Sequence, residues 1–152
     1  MLKLLKEANA NLLVNIKHMP IAWSDDLSVN VKEIDDQHQV FLGILNNLYD
    51  VAHRIEERDE LANILRQLVA YAAFHFATEE KYFDKFDYEW ADEHKEGHRE
   101  LLARALKFKE RYAAEGEEVL VELVEFLEDW LREHLTKEDK KYTKCFNNHG
   151  LF

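Results

Sequence analysis

One proline and four glycines in 152 residues leave this chain almost nowhere to turn sharply. Proline ends a helix by removing a donor and glycine weakens one through its backbone freedom, so long stretches without either can run as helices. The expected fold class is all-α. Apolar residues then recur at helical spacing in four blocks. Phe41, Leu42, Leu45, Leu48, Tyr49 and Ala52 follow Asp35 and Asp36, either of which can cap the first helix. Leu61, Ile64, Leu65, Leu68, Ala72, Phe76 and Phe83 make the second, which starts behind Asp59 and runs toward Phe86 for roughly 40 Å. The third starts near Trp90, passes through Leu101, Leu102, Ala105, Phe108 and Tyr112, and stops at Gly116. The fourth carries Val119, Leu120, Leu123, Leu127, Trp130 and Leu131, and Thr136 is placed to cap a short C-terminal helical turn. Short connections between helices of matching length make neighbours antiparallel, so the architecture expected is an up-down-up-down four-helix bundle.

Ahead of this lies an amphipathic segment with Leu5, Ala8, Leu12 and Ile16 at helical spacing, broken at Pro20. The division expected is an N-terminal helical extension over 1–18 and a bundle domain over 19–152. The extension is a candidate for docking on the bundle, for self-association or for joining a partner. A net charge of −11 argues against a nucleic-acid partner and against an anionic membrane surface, both of which need a basic face. No apolar run reaches the length needed to cross a bilayer. A single cysteine, Cys145, and no evident signal peptide point to the cytoplasm.

The stripes are interrupted where burial should be purest. His38 sits one turn before Leu42; His75 and Glu79 lie four apart on the second stripe; His94 and His98 lie four apart on the third; His134 follows Trp130 by four, and Asp139 follows His134 by five. Residues four apart on a helix have neighbouring side chains, so each such pair can reach one centre. Any of these histidines taken singly could be a surface residue or a hydrogen-bonded core residue. Taken together, four helices turning such groups inward would carry a separate burial cost at each, and one shared metal site removes all of them. Five histidines and two carboxylates exceed one ion and suit two. His18, His53 and His149 read as solvated, as does Glu80, turned about 100° from Glu79.

The motifs IDDQH around His38, HFATEE with His75 and Glu79, HKEGH with His94 and His98, and WLREHLTKED with His134 and Asp139 resemble the hemerythrin family in its bacterial single-domain form, over about Ile21 to Tyr142. The resemblance implies a non-haem centre of two iron ions bridged by an oxo or hydroxo group. One iron would take His94, His98 and His134, the other His38 and His75, with Glu79 and Asp139 bridging. That set fills eleven of twelve octahedral positions, and the open one, on the iron with two histidines, would take O2. Asn30 stands where the family often has glycine, and Phe83 where it often has methionine.

Phe41, Trp130, Leu131 and Leu135 are the expected lining of an oxygen pocket, against the plainer reading that they are core. Asp35 and Gln37 could orient ligands, and Tyr142 could hydrogen-bond near the site or close the bundle. The expected function is reversible oxygen binding, as carrier, store or sensor, with dioxygen as ligand and an oxygen-consuming enzyme or signalling protein as possible partner. The competing readings are a di-iron enzyme that reduces peroxide or nitric oxide or oxidises a substrate at the same position, and an iron store or structural dizinc protein. No Glu stands three residues before any histidine, unlike the ferritin-like oxidases. No acid or base beyond the ligands is evidently placed for turnover.

Overall fold

The computed structural model describes residues 21–52 and 58–152, and the N-terminal extension expected over 1–18 lies outside them. Five α-helices follow in order: α1 (Lys32–Ala52), α2 (Arg58–Lys85), α3 (Ala91–Glu115), α4 (Leu120–Glu133) and α5 (Asp139–Asn148). No strand occurs among the described residues. The first four make the antiparallel bundle, and none of these helices is long and apolar enough to cross a membrane.

The ends of the helices show what the pattern could and could not place. α1 starts at Lys32, three residues before the first expected cap. Asp35 lies inside its first turn and reaches back instead, accepting from Val29 N at 2.8 Å and Ser28 Oγ at 2.5 Å. That pins the preceding loop, where Asn30 takes φ 54°. A left-handed residue there is why glycine suits the position, and asparagine is the side chain that tolerates it best. α2 runs 28 residues, about 42 Å. It ends in a left-handed Asp87 at φ 48°, with Tyr88 N–H bonded to Phe83 O at 3.0 Å, the six-to-one bond of a Schellman stop. Gly116 at φ 78° closes α3 as expected, its N–H bonded to Tyr112 O.

The last helix departs furthest from expectation. No cap forms at Thr136; its Oγ1 bonds Arg132 O at 2.6 Å, and the chain stays helical from α4 through a π turn over His134–Glu138 into α5, a ten-residue helix rather than a single turn. The physical consequence concerns Asp139. Five α-helical steps would leave it about 140° around from His134, and the wider π turn brings it back to the same face.

Two hydrophobic clusters fill the bundle. The larger gathers Leu45, Leu48, Ile64, Leu68, Phe76, Leu101, Leu123, Leu127 and their neighbours. The smaller packs Val29, Val31 and Ile34 against Tyr82, Phe83, Tyr88, Tyr142 and Phe146. A layer of histidines and carboxylates separates them, touching Phe76 of the first cluster and Phe83 and Tyr142 of the second.

Candidate metal centre

His38 of α1, His75 and Glu79 of α2, His94 and His98 of α3, and His134 and Asp139 at the two ends of the π turn meet in that layer. None is more than 5% exposed. Their donor atoms form two overlapping groups, Glu79 with His94, His98 and His134, and Glu79 and Asp139 with His38 and His75; within each, the atoms lie within 4.8 Å of one another. Both carboxylates span the two sides. Asp139 sets Oδ1 at 2.9 Å from His134 Nε2 and 3.1 Å from His94 Nε2, while its Oδ2 is 3.2 Å from His38 Nε2. Glu79 sets Oε2 at 3.1 Å from His98 Nε2 and Oε1 at 3.5 Å from His75 Nε2. His38 and His75 bring their Nε2 atoms to 3.2 Å.

The rings are held from behind. His75 Nδ1 donates to Gln37 Oε1 at 2.9 Å, and Gln37 is itself steadied by Thr78 Oγ1 at 3.3 Å. His98 Nδ1 donates to Glu80 Oε1 at 2.9 Å. A proton on Nδ1 leaves a lone pair on Nε2, pointing into the layer. Glu80 is therefore a partner of the centre and not the solvated residue its 100° offset suggests; α3 packs close enough for His98 to reach it. Gln37 holds the His75 ring, whereas Asp35 serves the loop. Tyr142 OH donates to Glu79 Oε1 at 2.5 Å.

The electrostatics of the layer belong to groups that face one another without solvent. Burial pushes His75 down to about 4, against the pull of Glu79. For Glu79, burial and Asp139 push upward, but His75 and His98 prevail and hold it at about 2. Asp139 is likewise held well below the carboxylate range by His134, His38 and His94 in spite of its burial. His134 is raised, because Asp139 outweighs desolvation. Burial first, and then Asp139 and Glu79, push the Tyr142 hydroxyl well up, so it stays a donor.

The donor set passes a direct test of fit for a cation. Nε2 of His94, His98 and His134, Oε2 of Glu79 and both oxygens of Asp139 are buried with no hydrogen-bond partner. Buried polar atoms are ordinarily satisfied, because leaving one bare costs about 1–3 kcal/mol. Six bare acceptor-type atoms converging at about 3 Å ask for positive charge between them. Imidazole nitrogens with carboxylate oxygens suit iron, and the two overlapping groups suit two ions.

Phe41, Trp130, Leu131 and Leu135, the expected pocket lining, meet around a cavity of about 10 Å³ beside His38 and His75. This is close to the space of one water-sized sphere. Phe76 completes its wall and stacks on His98 at 3.8 Å between centroids, while Trp130 stacks on His134 at 4.2 Å. Phe76 was legible only as a core residue; its position one after His75 was the available signal. Phe83 abuts His94 at 4.9 Å. His149 stays outside the layer, stacked on Phe86, and His18 and His53 lie outside the described residues.

Fold and site define a helical-bundle protein with a buried, histidine-rich cluster at its middle that could hold cations. The chain belongs to the hemerythrin family. The sequence model of the Hemerythrin HHE cation binding domain matches residues 29–145. A bacteriohemerythrin of Pseudomonas aeruginosa is 33% identical over 122 residues, 80% of this chain and 78% of that one. The bacteriohemerythrin of Methylococcus capsulatus is 31% identical over 122 residues, covering 80% and 92%. A crystal structure of wild-type hemerythrin superposes with a TM-score of 0.75 at 28% identity, over 84% of this chain and 98% of that chain.

Proposed function

We propose that this protein binds dioxygen reversibly at a pair of iron ions, with His94, His98 and His134 holding one, His38 and His75 the other, and Glu79 and Asp139 joining them. The observation that carries this reading is the unequal sharing of donors: three histidines on one side, two on the other, both carboxylates spanning them, and a small apolar cavity that touches both histidines of the pair and, of the three, His134. Two reduced irons, when bound, supply the two electrons that dioxygen takes up and returns. The residues do the rest. Phe41, Leu131 and Leu135 keep water from the cavity, and Trp130 covers His134. Tyr142 keeps its proton on Glu79 and donates none to the cavity. The bundle domain spans 19–152 in this reading, and one free cysteine fits a reducing cytoplasm.

The test is optical. The reduced, colourless protein is expected to colour in air and to bleach when oxygen is withdrawn; a protein that holds two zinc ions and never colours would sink the reading. Steady oxygen consumption in the presence of reductant would favour the enzyme instead. A second expectation concerns the ring supports. Gln37→Leu and Glu80→Leu each free a ligand ring to rotate, and loss of such a partner lowers metal affinity about 10–100-fold. Metal titrations of the two variants against the parent measure it, and unchanged affinity would mean that the rings are held by packing alone.

A further inference from the structure

One cleft of the described structure has no part in the dioxygen reading. It lies between α3 and α4 and encloses about 800 Å³. Among the described residues that line it are eight carboxylates and one guanidinium, that of Arg104, which lies over the Phe126 ring at 3.8 Å. Glu96, Glu122, Glu133 and Glu138 are paired with Arg99, Arg111, Lys137 and Lys141. Glu93, Glu100, Glu125 and Asp129 are exposed and have no ion-pair partner among the described residues.

Acidity alone would make this ordinary surface, but its inner wall is not acidic. His94 and His134 reach it, with side chains 2% and 6% exposed and Nε2 atoms that no hydrogen bond satisfies. A smaller cleft of about 360 Å³ meets the first at Glu93, His94 and Glu138, so two openings converge on the same imidazole. The oxygen-side cavity and the cleft share two lining residues, Trp130 and His134.

We propose that the cleft between α3 and α4 is the route by which ferrous iron reaches the centre, drawn in by Glu93, Glu100, Glu125 and Asp129 and taken first by His94 and His134. This rests on the di-iron reading above. A cleft lined by one sign of charge concentrates counter-ions and raises their rate of arrival about 10- to 1,000-fold, an effect that salt removes. Exposed carboxylates hold a hydrated divalent ion loosely, and imidazole nitrogens bind iron more firmly, so affinity increases inward. The burial of these imidazoles favours a compact metal ion over a basic peptide, whose ammonium groups would stop at the exposed carboxylates.

The experiment uses the full-length protein, stripped of metal by a chelator and mixed anaerobically with ferrous iron. Iron retained after a chelator quench is measured against time, with tryptophan fluorescence as a parallel signal. Glu93→Gln/Glu100→Gln/Glu125→Gln/Asp129→Asn is expected to load about tenfold more slowly at low ionic strength, to reach the same final iron content, and to match the parent in about 1 M salt. A control that removes the same charge elsewhere, Asp25→Asn/Asp26→Asn/Asp59→Asn/Glu89→Gln, is expected to load at the parent rate. Equal rates for the cleft variant and the parent, or an equal slowing in the control, would overturn the route while leaving the centre intact. A parent that retains no iron at equilibrium overturns the di-iron reading and the route with it.

Discussion

Glu79→Ala is expected to lose most of its bound iron and, with it, most of the stability that the metal confers. Glu79 is the one residue common to both donor groups, fully buried, and its two oxygens face His75 on one side and His98 on the other. Metal that binds only the folded chain stabilises it by about 4 kcal/mol at a thousandfold excess over its dissociation constant. For a chain of this size that corresponds to roughly 8–16 °C in melting temperature. The alanine variant also strands the Tyr142 hydroxyl, at about 1–3 kcal/mol. Glu79→Gln separates the two effects, because an amide oxygen still accepts from Tyr142 but is a poor bridging ligand. Metal-free, it should melt below the parent only by the charge stabilisation that Glu79 supplies there, a gap that closes toward pH 2; given iron, it should fall much further below. Iron content by elemental analysis, read beside thermal melts, decides the matter; a glutamine variant that keeps the parent's iron and its melting temperature would remove Glu79 from the bridge.

Metal removal has the second large effect, and its size should depend on pH. In the metal-free protein His75 sits at about 4 where the unfolded chain has 6.5, so the unfolded chain takes up the proton more readily. The stability His75 contributes is present above pH 6.5 and is lost as pH falls toward 4, amounting to about 3 kcal/mol. Glu79, held at about 2 against 4.5, contributes stability that is present above pH 4.5 and lost as pH falls toward 2. His134 runs the other way: its raised value stabilises fully below pH 6.5 and is lost as pH rises through it, so it adds no slope in the acid window. Chemical denaturation of chelated protein between pH 7 and 4.5 should therefore show a steady loss. With iron bound, protons must first displace the metal from the imidazoles, and the loss is expected to begin at lower pH. Identical pH curves with and without iron would show that the ion does not sit on these histidines.

How far the chain could be read depended on how local each feature is. The pairs His75 with Glu79 and His94 with His98 were legible because a four-residue step on a helix is a statement about neighbours in space, whatever surrounds the helix. Asp139 counts among the candidate ligands from the sequence, its bridging role resting on the resemblance, although five residues is the wrong step for an α-helix. The π turn that corrects it has no marker in HLTKE, and it persists where Asp139 and His134 share a site. Glu80 departs from expectation for a related reason. The 100° rotation from Glu79 is right, but whether that direction leads to water or to another helix depends on where α3 lies. The start of α1 was placed three residues late because Asp35 caps nothing; its hydrogen bonds go to Ser28 and Val29 across a loop whose shape the pattern does not encode.

Periodicity and the scarcity of breakers determined the helices, the faces they bury and, Asp139 apart, the polar residues that interrupt those faces, because each follows from rotation by a fixed angle along one chain. The tertiary structure alone decided the rest: which oxygen of each carboxylate faces which histidine, that Glu80 supports the His98 ring, and that an acid-lined cleft and an apolar cavity both reach the layer, meeting at His134. These are relations between helices, set by the distance and register at which packed cores hold them, and no angle along a single helix contains that information.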